Sequence, residues 1–438
     1  MLSIVVALFV VGYATIVFEH PLKLDKTVPT LLMGSLIWAV ISLGELPVVS
    51  HLEEVAPISD VLLYHTGKIA EILFFLFGAM TIVELIDLHQ GFSVITNRIN
   101  TKSKVKMLWI ISILAFFLSS VLDNLTTTIV LISLLRKLVH NKEERLWYAS
   151  MVVIAANAGG AWTPIGDVTT TMLWIGHKVS SGSLITNLFL PSMACLVVPL
   201  LILSQFPIFK KGQLKAGHGE TAVAGPLNSS KLMLIAGVSG LIFVPIFKTI
   251  THLPPYLGML LSLGTVWLIS EYVHPDEDFK KERKAMYSAR HALSRIEWSS
   301  IIFFLGILLA IGGLESVVAN AAAEHPVGLL RSLAEQLGRV VPNDTYVAVI
   351  LGYFSAIIDN VPLVAAVMGM YPDPMDAALW HFIAYTAGTG GSMLIIGSAA
   401  GVAAMGMERI DFIWYAKKIA WVAMLGYLAG VGILLLMQ

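Results

Sequence analysis

The chain has 438 residues, of which 57% are hydrophobic and 13% are charged. A soluble domain carries roughly 25% charged residues, so this composition excludes an ordinary soluble protein and indicates a membrane protein with about ten helical spans. The net charge of −1 identifies no partner, because the loops carry the charge and the spans do not. The single cysteine, Cys195, excludes a disulfide framework and a cysteine zinc site within one chain.

Apolar runs occur along the chain in two series of six. The first series is 2–18, 28–49, 69–88, 105–135, 146–175 and 184–206, and the second is 232–247, 257–273, 299–319, 346–370, 377–405 and 412–437. A polar stretch at 209–230, rich in lysine and glycine, separates them. We therefore predict a first repeat at 1–208, a cytoplasmic linker at 209–230 and a second repeat at 231–438.

Two Asp-Asn pairs interrupt apolar runs at corresponding places in the two series. The first is Asp123-Asn124, followed by threonines that include Thr126 and Thr127, and the second is Asp359-Asn360. An ionised aspartate at membrane depth costs about 3 kcal/mol unless it meets a partner or water. The pairs therefore suggest a site in which side-chain oxygens face a cation. Each aspartate could also cap the helix that follows it, and the two roles are compatible.

The charges of the loops predict the topology. Basic loops at 89–106, 136–145 and 279–295 are expected inside, and acidic loops at 45–67 and 371–376 outside. The run at 105–135 would then enter and leave on the cytoplasmic side, as a re-entrant hairpin with the first Asp-Asn pair near its tip. The second hairpin would enter from outside, and both termini would lie outside.

The predicted fold is an all-α polytopic membrane protein with two repeats. Each repeat would contain about five crossings, one re-entrant hairpin and one broken helix. An odd number of crossings inverts the second repeat relative to the first, which is typical of transporters whose broken helices meet near the midplane.

A helix-breaking stretch at 157–171 carries further oxygen donors. Its paired glycines and its proline free backbone carbonyls, and such backbone is tolerated at membrane depth only where it lines a cavity or is buried in protein. The second series has a similar stretch at 387–398, which contains no carboxylate. Hard donors of this kind suit Na⁺ or Li⁺. The candidate donors in the two stretches are Asn157, Gly160, Thr163, Asp167, Thr169, Thr170, Gly391, Ser392 and Ser398.

These motifs resemble those of the NhaD-type sodium/proton antiporters of the ion transporter superfamily. The resemblance rests on Ser-x-x-x-Asp-Asn in both halves and on the stretch from Asn157 to Thr170, and it extends over nearly the whole chain. It implies export of Na⁺ or Li⁺ against H⁺ entry, a bacterial inner membrane or an organellar relative, and a homodimer with a scaffold domain and a moving transport domain. The functional positions that it implies are Asp123, Asn124, Asn157, Asp167, Thr169, Thr170, Asp359 and Asn360.

The expected mechanism is competition between Na⁺ and H⁺ for shared carboxylates. The predicted Na⁺ site is the group Asp123, Asn157, Asp167 and Asp359. We expect the lipid bilayer as the surroundings, no cofactor besides the transported ions, and no nucleic acid as a partner. The chain has no Walker Gly-Lys-Ser/Thr stretch and no His-Glu-x-x-His or Gly-x-Ser-x-Gly motif, so neither ATP hydrolysis nor another enzymatic activity is indicated.

Other functions remain open at this point. A sodium-coupled dicarboxylate carrier or an arsenite-type carrier of the same superfamily would share the architecture. The aspartates at both hairpin tips would repel an anionic substrate, which favours a cation exchanger. A channel is a third class, and an intramembrane aspartyl protease with two facing aspartates is a remote enzymatic alternative.

Overall fold

The computed structural model describes residues 1–50, 54–96, 99, 101–210, 213–214, 229–273, 289–319, 326–341, 343–357 and 359–437. The predicted linker at 209–230 and the basic loop at 279–295 lie largely outside these residues. The described chain is mostly helical.

The helices of the first half are α1 (Leu2–Val17), α2 (Glu19–Leu22), α3 (Thr27–Leu43), α4 (Ile58–Leu88), α5 (Ser93–Thr96), α6 (Lys104–Ser119), α7 (Asn124–Leu138), α8 (Lys142–Gly160), α9 (Val168–Ile175), α10 (Ser181–Ser204) and α11 (Pro207–Lys210). Those of the second half are α12 (Ser230–Thr251), α13 (Pro255–Tyr272), α14 (Ala289–Arg295), α15 (Trp298–Ser316), α16 (Leu329–Val340), α17 (Asp344–Ser355), α18 (Asn360–Met370), α19 (Ala378–Gly390), α20 (Ala399–Glu408), α21 (Phe412–Lys418) and α22 (Ala420–Met437).

Among the described residues, five helices are long and apolar enough to cross a membrane by themselves, namely α4, α10, α12, α15 and α22. Helices α1, α3, α17 and α18 are shorter but also apolar. The chain is therefore a multi-pass membrane protein. Helix α4 begins at Ile58, whereas the apolar run in the sequence begins only at residue 69. The first turns of the helix carry polar side chains, which a helix tolerates but a search for apolar runs does not detect.

The all-α prediction needs one small correction. Two short strands, β1 (Val48–Val49) and β2 (Val55–Ala56), pair antiparallel with Val48 opposite Ala56. Val48 also forms an isolated bridge with Val317, just after α15. The β-branched valines favour this extended backbone, which a search for apolar helical runs does not detect.

Four of the predicted runs are divided into two helices each. The pairs are α6 with α7, α8 with α9, α17 with α18, and α19 with α20. The second helix of each pair begins at a side chain that accepts a hydrogen bond from a backbone N–H of its first turn; these residues are Asp123, Asp167, Asp359 and Ser398. Such caps satisfy N–H groups that have no partner inside the helix. The capping role considered for the aspartates is therefore correct.

Serine hydroxyls bond the broken helices to each other in the same way in both halves. Ser119 Oγ at the end of α6 donates to the carbonyl of Ala156 in α8 at 2.6 Å. Ser355 Oγ at the end of α17 donates to the carbonyl of Ala387 in α19 at 2.7 Å. The two contacts occupy corresponding places in the two halves.

Glycines allow these helices to come close. A Cβ atom at Gly159 would lie 2.1 Å from the carbonyl oxygen of Phe116, and one at Gly390 would lie 2.2 Å from that of Gly352. No side chain fits in either place. The paired glycines of the sequence therefore serve close backbone packing as well as the helix break.

A buried carboxylate joins the end of α20 to the first half. The side chain of Glu408 is 1% exposed and pairs with two arginines. Arg136 Nε lies 2.8 Å from Oε1, and Arg145 Nε lies 2.7 Å from Oε2. Arg136 also donates to the carbonyl of Met407. We call Glu408, Arg136 and Arg145 the arginine clamp.

Candidate functional site

Asp167 lies at the centre of a buried polar group between the two halves. Its side chain is at the N-terminus of α9, and the residue is 2% exposed. Its Oδ2 atom accepts hydrogen bonds from Nδ2 of Asn124 at 3.2 Å and from Nδ2 of Asn360 at 3.3 Å. One carboxylate thus receives an amide donor from each Asp-Asn pair. We define the central cluster as Asn124, Asn157, Asp167, Asn360, Ser392 and Ser398.

Asn157 completes the central cluster from α8. Its Nδ2 atom donates to Oγ of Ser392 at 2.8 Å and to Oγ of Ser398 at 2.9 Å. Its Oδ1 atom lies 3.1 Å from Nδ2 of Asn124. Asn157 is fully buried, so these bonds replace water and connect the two helix-breaking stretches directly.

Asp123 lies beside the central cluster and turns toward the start of α7. Its Oδ1 accepts from the backbone N–H of Thr126 and its Oδ2 from the hydroxyl of Thr126, each at 2.7 Å. Its φ angle is 130°, in a region where non-glycine backbone costs on the order of 1–3 kcal/mol; such strained residues cluster at functional sites. The geometry holds the carboxylate at the break between α6 and α7.

Asp359 has a charged partner of its own. Its Oδ2 lies 3.1 Å from Nζ of Lys26, and its Oδ1 accepts from the backbone N–H of Val361 at 3.3 Å. In the part of the chain that the structure describes, no three acidic, histidine or cysteine side chains are grouped closely enough to hold a metal ion. The structure therefore brings Asn157 and Asp167 together, with Asp123 and Asp359 at the two flanks, and a shared Na⁺ site stays a prediction.

Two of the predicted hydroxyls bind backbone instead of the central cluster. Thr163 Oγ1 donates to the carbonyl of Ser120 at 2.6 Å, and Thr170 Oγ1 donates to that of Asp167 at 2.9 Å. Their hydroxyl protons are thereby used to shape the helix breaks. The lone pairs of their hydroxyl oxygens remain able to coordinate a cation.

Two other predicted hydroxyls have unused bonding capacity. Oγ1 of Thr127 and Oγ1 of Thr169 are buried and have no hydrogen-bond partner within the described residues. A buried hydroxyl without a partner costs about 1–3 kcal/mol. Both follow a helix-capping aspartate within four residues, which makes them suitable as additional ligands.

The predicted backbone ligands Gly160 and Gly391 permit a tight turn at each break. A Cβ atom at Gly160 would lie 2.5 Å from the carbonyl oxygen of Gly166, and one at Gly391 would lie 2.6 Å from that of Gly397. Both glycines therefore allow the chain to fold back closely beside the central cluster.

A large cavity approaches Asp123 from one side. Its volume is about 1190 Å³, and its wall includes Thr126, which is bonded to Asp123. Apolar side chains form much of the rest of its wall, together with charged groups such as Glu84, Arg136 and Arg295. The latter two belong to loops predicted to be cytoplasmic. A second cavity of about 470 Å³, lined by residues such as His65 and Lys178, contains none of the predicted site residues.

Lys26 is the site residue that the sequence did not indicate. It lies between α1 and α3 in a short loop with another lysine, where a basic residue is an ordinary feature of a cytoplasmic loop. No motif surrounds it, and its partner Asp359 is 333 residues away. Only the three-dimensional structure brings the two together.

Comparison with known proteins identifies the family of the chain. The chain matches the citrate transporter family, CitMHS, over residues 13–390. It is 46% identical over 431 residues to sodium/proton antiporter 1 of Arabidopsis thaliana, covering 97% of this chain and 70% of that protein. It is 44% identical over 434 residues to sodium/proton antiporter 2 of the same plant, covering 97% of each. It is 30% identical over 453 residues to the Na⁺/H⁺ antiporter NhaD of Alkalimonas amylolytica, covering 98% of this chain and 89% of that protein.

These relatives align along almost the full length of the chain. The resemblance seen in the motifs is therefore confirmed. The chain belongs to the NhaD-type sodium/proton antiporters, within the family described as citrate transporters.

Proposed function

We propose that this protein is a secondary transporter that exchanges Na⁺ or Li⁺ for H⁺ across its membrane. The observation that carries the proposal is the environment of Asp167. This carboxylate is buried, and its hydrogen-bond donors are neutral amides and a backbone N–H. A buried anion without a cationic partner is costly, so the group gains from binding either a proton or a metal cation. The family relatives are named as sodium/proton antiporters.

The two ions would compete for the same carboxylates. Na⁺ binds ionised Asp167, with Asn157 and the unused hydroxyls of Thr127 and Thr169 as candidate ligands. Protonation of Asp167 removes the charge that holds the cation. The apparent affinity for Na⁺ should accordingly rise with pH. The exchange rate should also rise with pH and then fall when too few protons remain to drive the return step, giving a bell-shaped profile.

Asp123 and Asp359 would extend the ion path on either side of the central cluster. Asp123 adjoins the large cavity through Thr126. A cation that enters from the cytoplasm would meet Asp123 before Asp167. We propose that the predicted site residues together form the ion path.

We propose the same inverted architecture that the loops predict. The two halves, 1–208 and 231–438, would be inverted repeats joined by a cytoplasmic linker, with two re-entrant hairpins formed by α6–α7 and α17–α18. The duplicated contacts of Ser119 and Ser355 support a repeat. A homodimer in a bacterial inner membrane or an organellar membrane, with both termini outside, is part of this proposal.

A citrate or dicarboxylate carrier is the alternative that the family description raises. The aspartates of the proposed ion path argue against such a carrier, because their negative charges would repel an anionic substrate. The central cluster presents amide and hydroxyl groups around one negative charge. That arrangement suits a small cation.

Purified protein in liposomes tests the proposal. A pH gradient should drive Na⁺ or Li⁺ uptake, and a Na⁺ gradient should drive proton movement, each saturable and dependent on the other ion. K⁺ and choline serve as comparison cations. Na⁺-dependent accumulation of citrate or succinate, or Na⁺ conductance without proton movement, would contradict the exchange function.

A further inference from the structure

The start of α3 places a lysine on the carboxylate of the second Asp-Asn pair. Nζ of Lys26 lies 3.1 Å from Oδ2 of Asp359. The same ammonium lies 4.4 Å from the ring centre of Phe303 on α15, and an aromatic face attracts a cation. Lys26 thus already makes the contact with Asp359 that a transported cation would make.

The loop that carries Lys26 is held in place by its neighbours. The backbone N–H of Thr27 donates to Oδ1 of Asp25 at 2.8 Å, and Oγ1 of Thr27 donates to the carbonyl of Ser299 at 3.2 Å. Ser299 belongs to α15, the helix that also carries Phe303. These bonds therefore fix the backbone beside Asp359.

The ion pair itself is accessible to exchange. The side chains of Lys26 and Asp359 are 27% and 17% exposed, so neither charge is fully enclosed by protein. The arginine clamp differs, because its carboxylate is 1% exposed and has two arginine partners. Lysine is also a single point charge on a flexible stem, which can leave and return without repacking.

We propose that Lys26 is a tethered cation that neutralises Asp359 when Na⁺ is absent and is displaced from it when Na⁺ binds. This inference rests on the proposed function, because it takes Asp359 as part of the ion path. Lys26 then acts through Asp359 and sets the affinity for the transported cation. It does not itself bind Na⁺.

Transport kinetics give the first test. The Lys26→Gln variant lacks the ammonium that competes with Na⁺ for Asp359. We therefore expect its apparent KM for Na⁺ to fall roughly fivefold at constant pH. Lys26→Arg keeps a positive charge beside Asp359, so its KM should stay at or above that of the wild type. Lys23→Gln is the matched control, since it removes an exposed lysine of the same loop and should leave KM unchanged.

A purely structural brace would behave differently. Lys26→Gln would then lower the thermal stability and the maximal rate without lowering KM, and Lys26→Arg would restore both. An unchanged or increased KM in folded Lys26→Gln would overturn the proposal.

Chemical labelling of the wild-type protein gives a second test that needs no transport. An amine-reactive reagent, with the Lys26 peptide quantified by mass spectrometry, should modify Lys26 more when Na⁺ replaces choline. In Asp359→Asn the labelling of Lys26 should be high without Na⁺ and should not change when Na⁺ is added.

The outcomes separate this proposal from the proposed function. If Na⁺ exchange is measured but the labelling of Lys26 does not change with Na⁺, the displacement of Lys26 is wrong and the proposed function stands. If labelling responds to Na⁺ but no exchange occurs, displacement is supported and the exchange function is wrong. If neither responds, both are wrong.

Discussion

Nδ2 of Asn360 lies 3.3 Å from Oδ2 of Asp167, although the two residues are 193 positions apart. Asn124 reaches the same oxygen from the first half. A carboxylate of the first helix-breaking stretch is thus the meeting point of both Asp-Asn pairs. This makes Asp167 the first residue to test.

Asp167→Asn keeps the size of the side chain and removes its charge. We expect Na⁺/H⁺ exchange to fall by about a hundredfold or more, because an ion site of this kind depends on the charge for roughly 3 kcal/mol of binding. Asparagine caps helices as well as aspartate does, so α9 should remain intact. Exchange in liposomes and the amount of folded protein are the two measurements.

The control for this change is Asp411→Asn. Asp411 also caps a helix, accepting from the backbone N–H of Trp414 at 2.8 Å, but it is exposed and lies outside the central cluster. The exchange rate of the Asp411→Asn protein should equal that of the wild type. Near-normal exchange in Asp167→Asn would place the ion path elsewhere.

Asp123→Asn and Asp359→Asn test the two flanks of the site. Each variant keeps its helix cap and loses a charge that we place on the ion path, so exchange should collapse while the protein stays folded in detergent. If both aspartates serve only as caps, asparagine should preserve activity. Near-normal exchange in both variants would mean that the Asp-Asn pairs have a structural role alone.

Asn157→Ala removes the amide that connects the two helix-breaking stretches. The hydroxyls of Ser392 and Ser398 would lose their donor, and Asn124 would lose an acceptor. We expect a loss of about 1–3 kcal/mol in stability for the unsatisfied buried groups, together with loss of exchange. A thermal melt of the purified protein measures the first and liposome transport the second.

Ser150→Ala is the matched control for that change, because Ser150 is buried on the same helix and donates to the carbonyl of Leu146, one turn away. Its melting temperature should change little. An Asn157→Ala protein that melts and transports like the control would show that the central cluster is dispensable.

Gly159→Ala and Gly390→Ala test the close packing of the broken helices. A Cβ atom would meet backbone oxygen at 2.1 Å and 2.2 Å respectively, so the helices must separate at a cost of about 1–3 kcal/mol. Both variants should have a lower melting temperature. Gly264→Ala, where a Cβ meets no atom within 4 Å, should be neutral or stabilising, since alanine favours a helix.

Single cysteines test the topology on a cysteine-free background. Cysteines at Lys102 and Lys142 should react with a membrane-impermeant reagent from the cytoplasmic side, because both flanks of the first hairpin are basic. A cysteine at Asp373 should react from outside. Labelling of positions 102 and 142 from opposite sides would exclude the re-entrant hairpin and, with it, the inverted repeat.

The helix breaks were predictable because their causes are local. Paired glycines, a proline and capping aspartates act within a few residues of themselves, and the structure breaks the helices at those places. The start of α4 and the strand pair β1–β2 were not predicted. Polar side chains hide the first turns of α4 from a search for apolar runs, and the strands contain two residues each.

The sequence suggested which residues form the candidate site but not how they are arranged. Asp123, Asp167 and Asp359 are conspicuous in an apolar sequence, which suggested one shared ion site. The structure gives each carboxylate different partners, and Asp167, which has no acidic counterpart in the second half, lies at the centre. Lys26 could not be foreseen, because its role depends on a contact between distant parts of the chain.

The arginine clamp changes which parts of the protein can move as units. Glu408 belongs to the second half, whereas Arg136 and Arg145 belong to the first. A buried ion pair of this kind resists separation, since breaking it leaves an uncompensated charge. In the alternating-access cycle that we propose, the boundary between moving bodies would therefore not follow the boundary between the two halves of the sequence. It would cut through each half and leave α7, α8 and α20 together on one side.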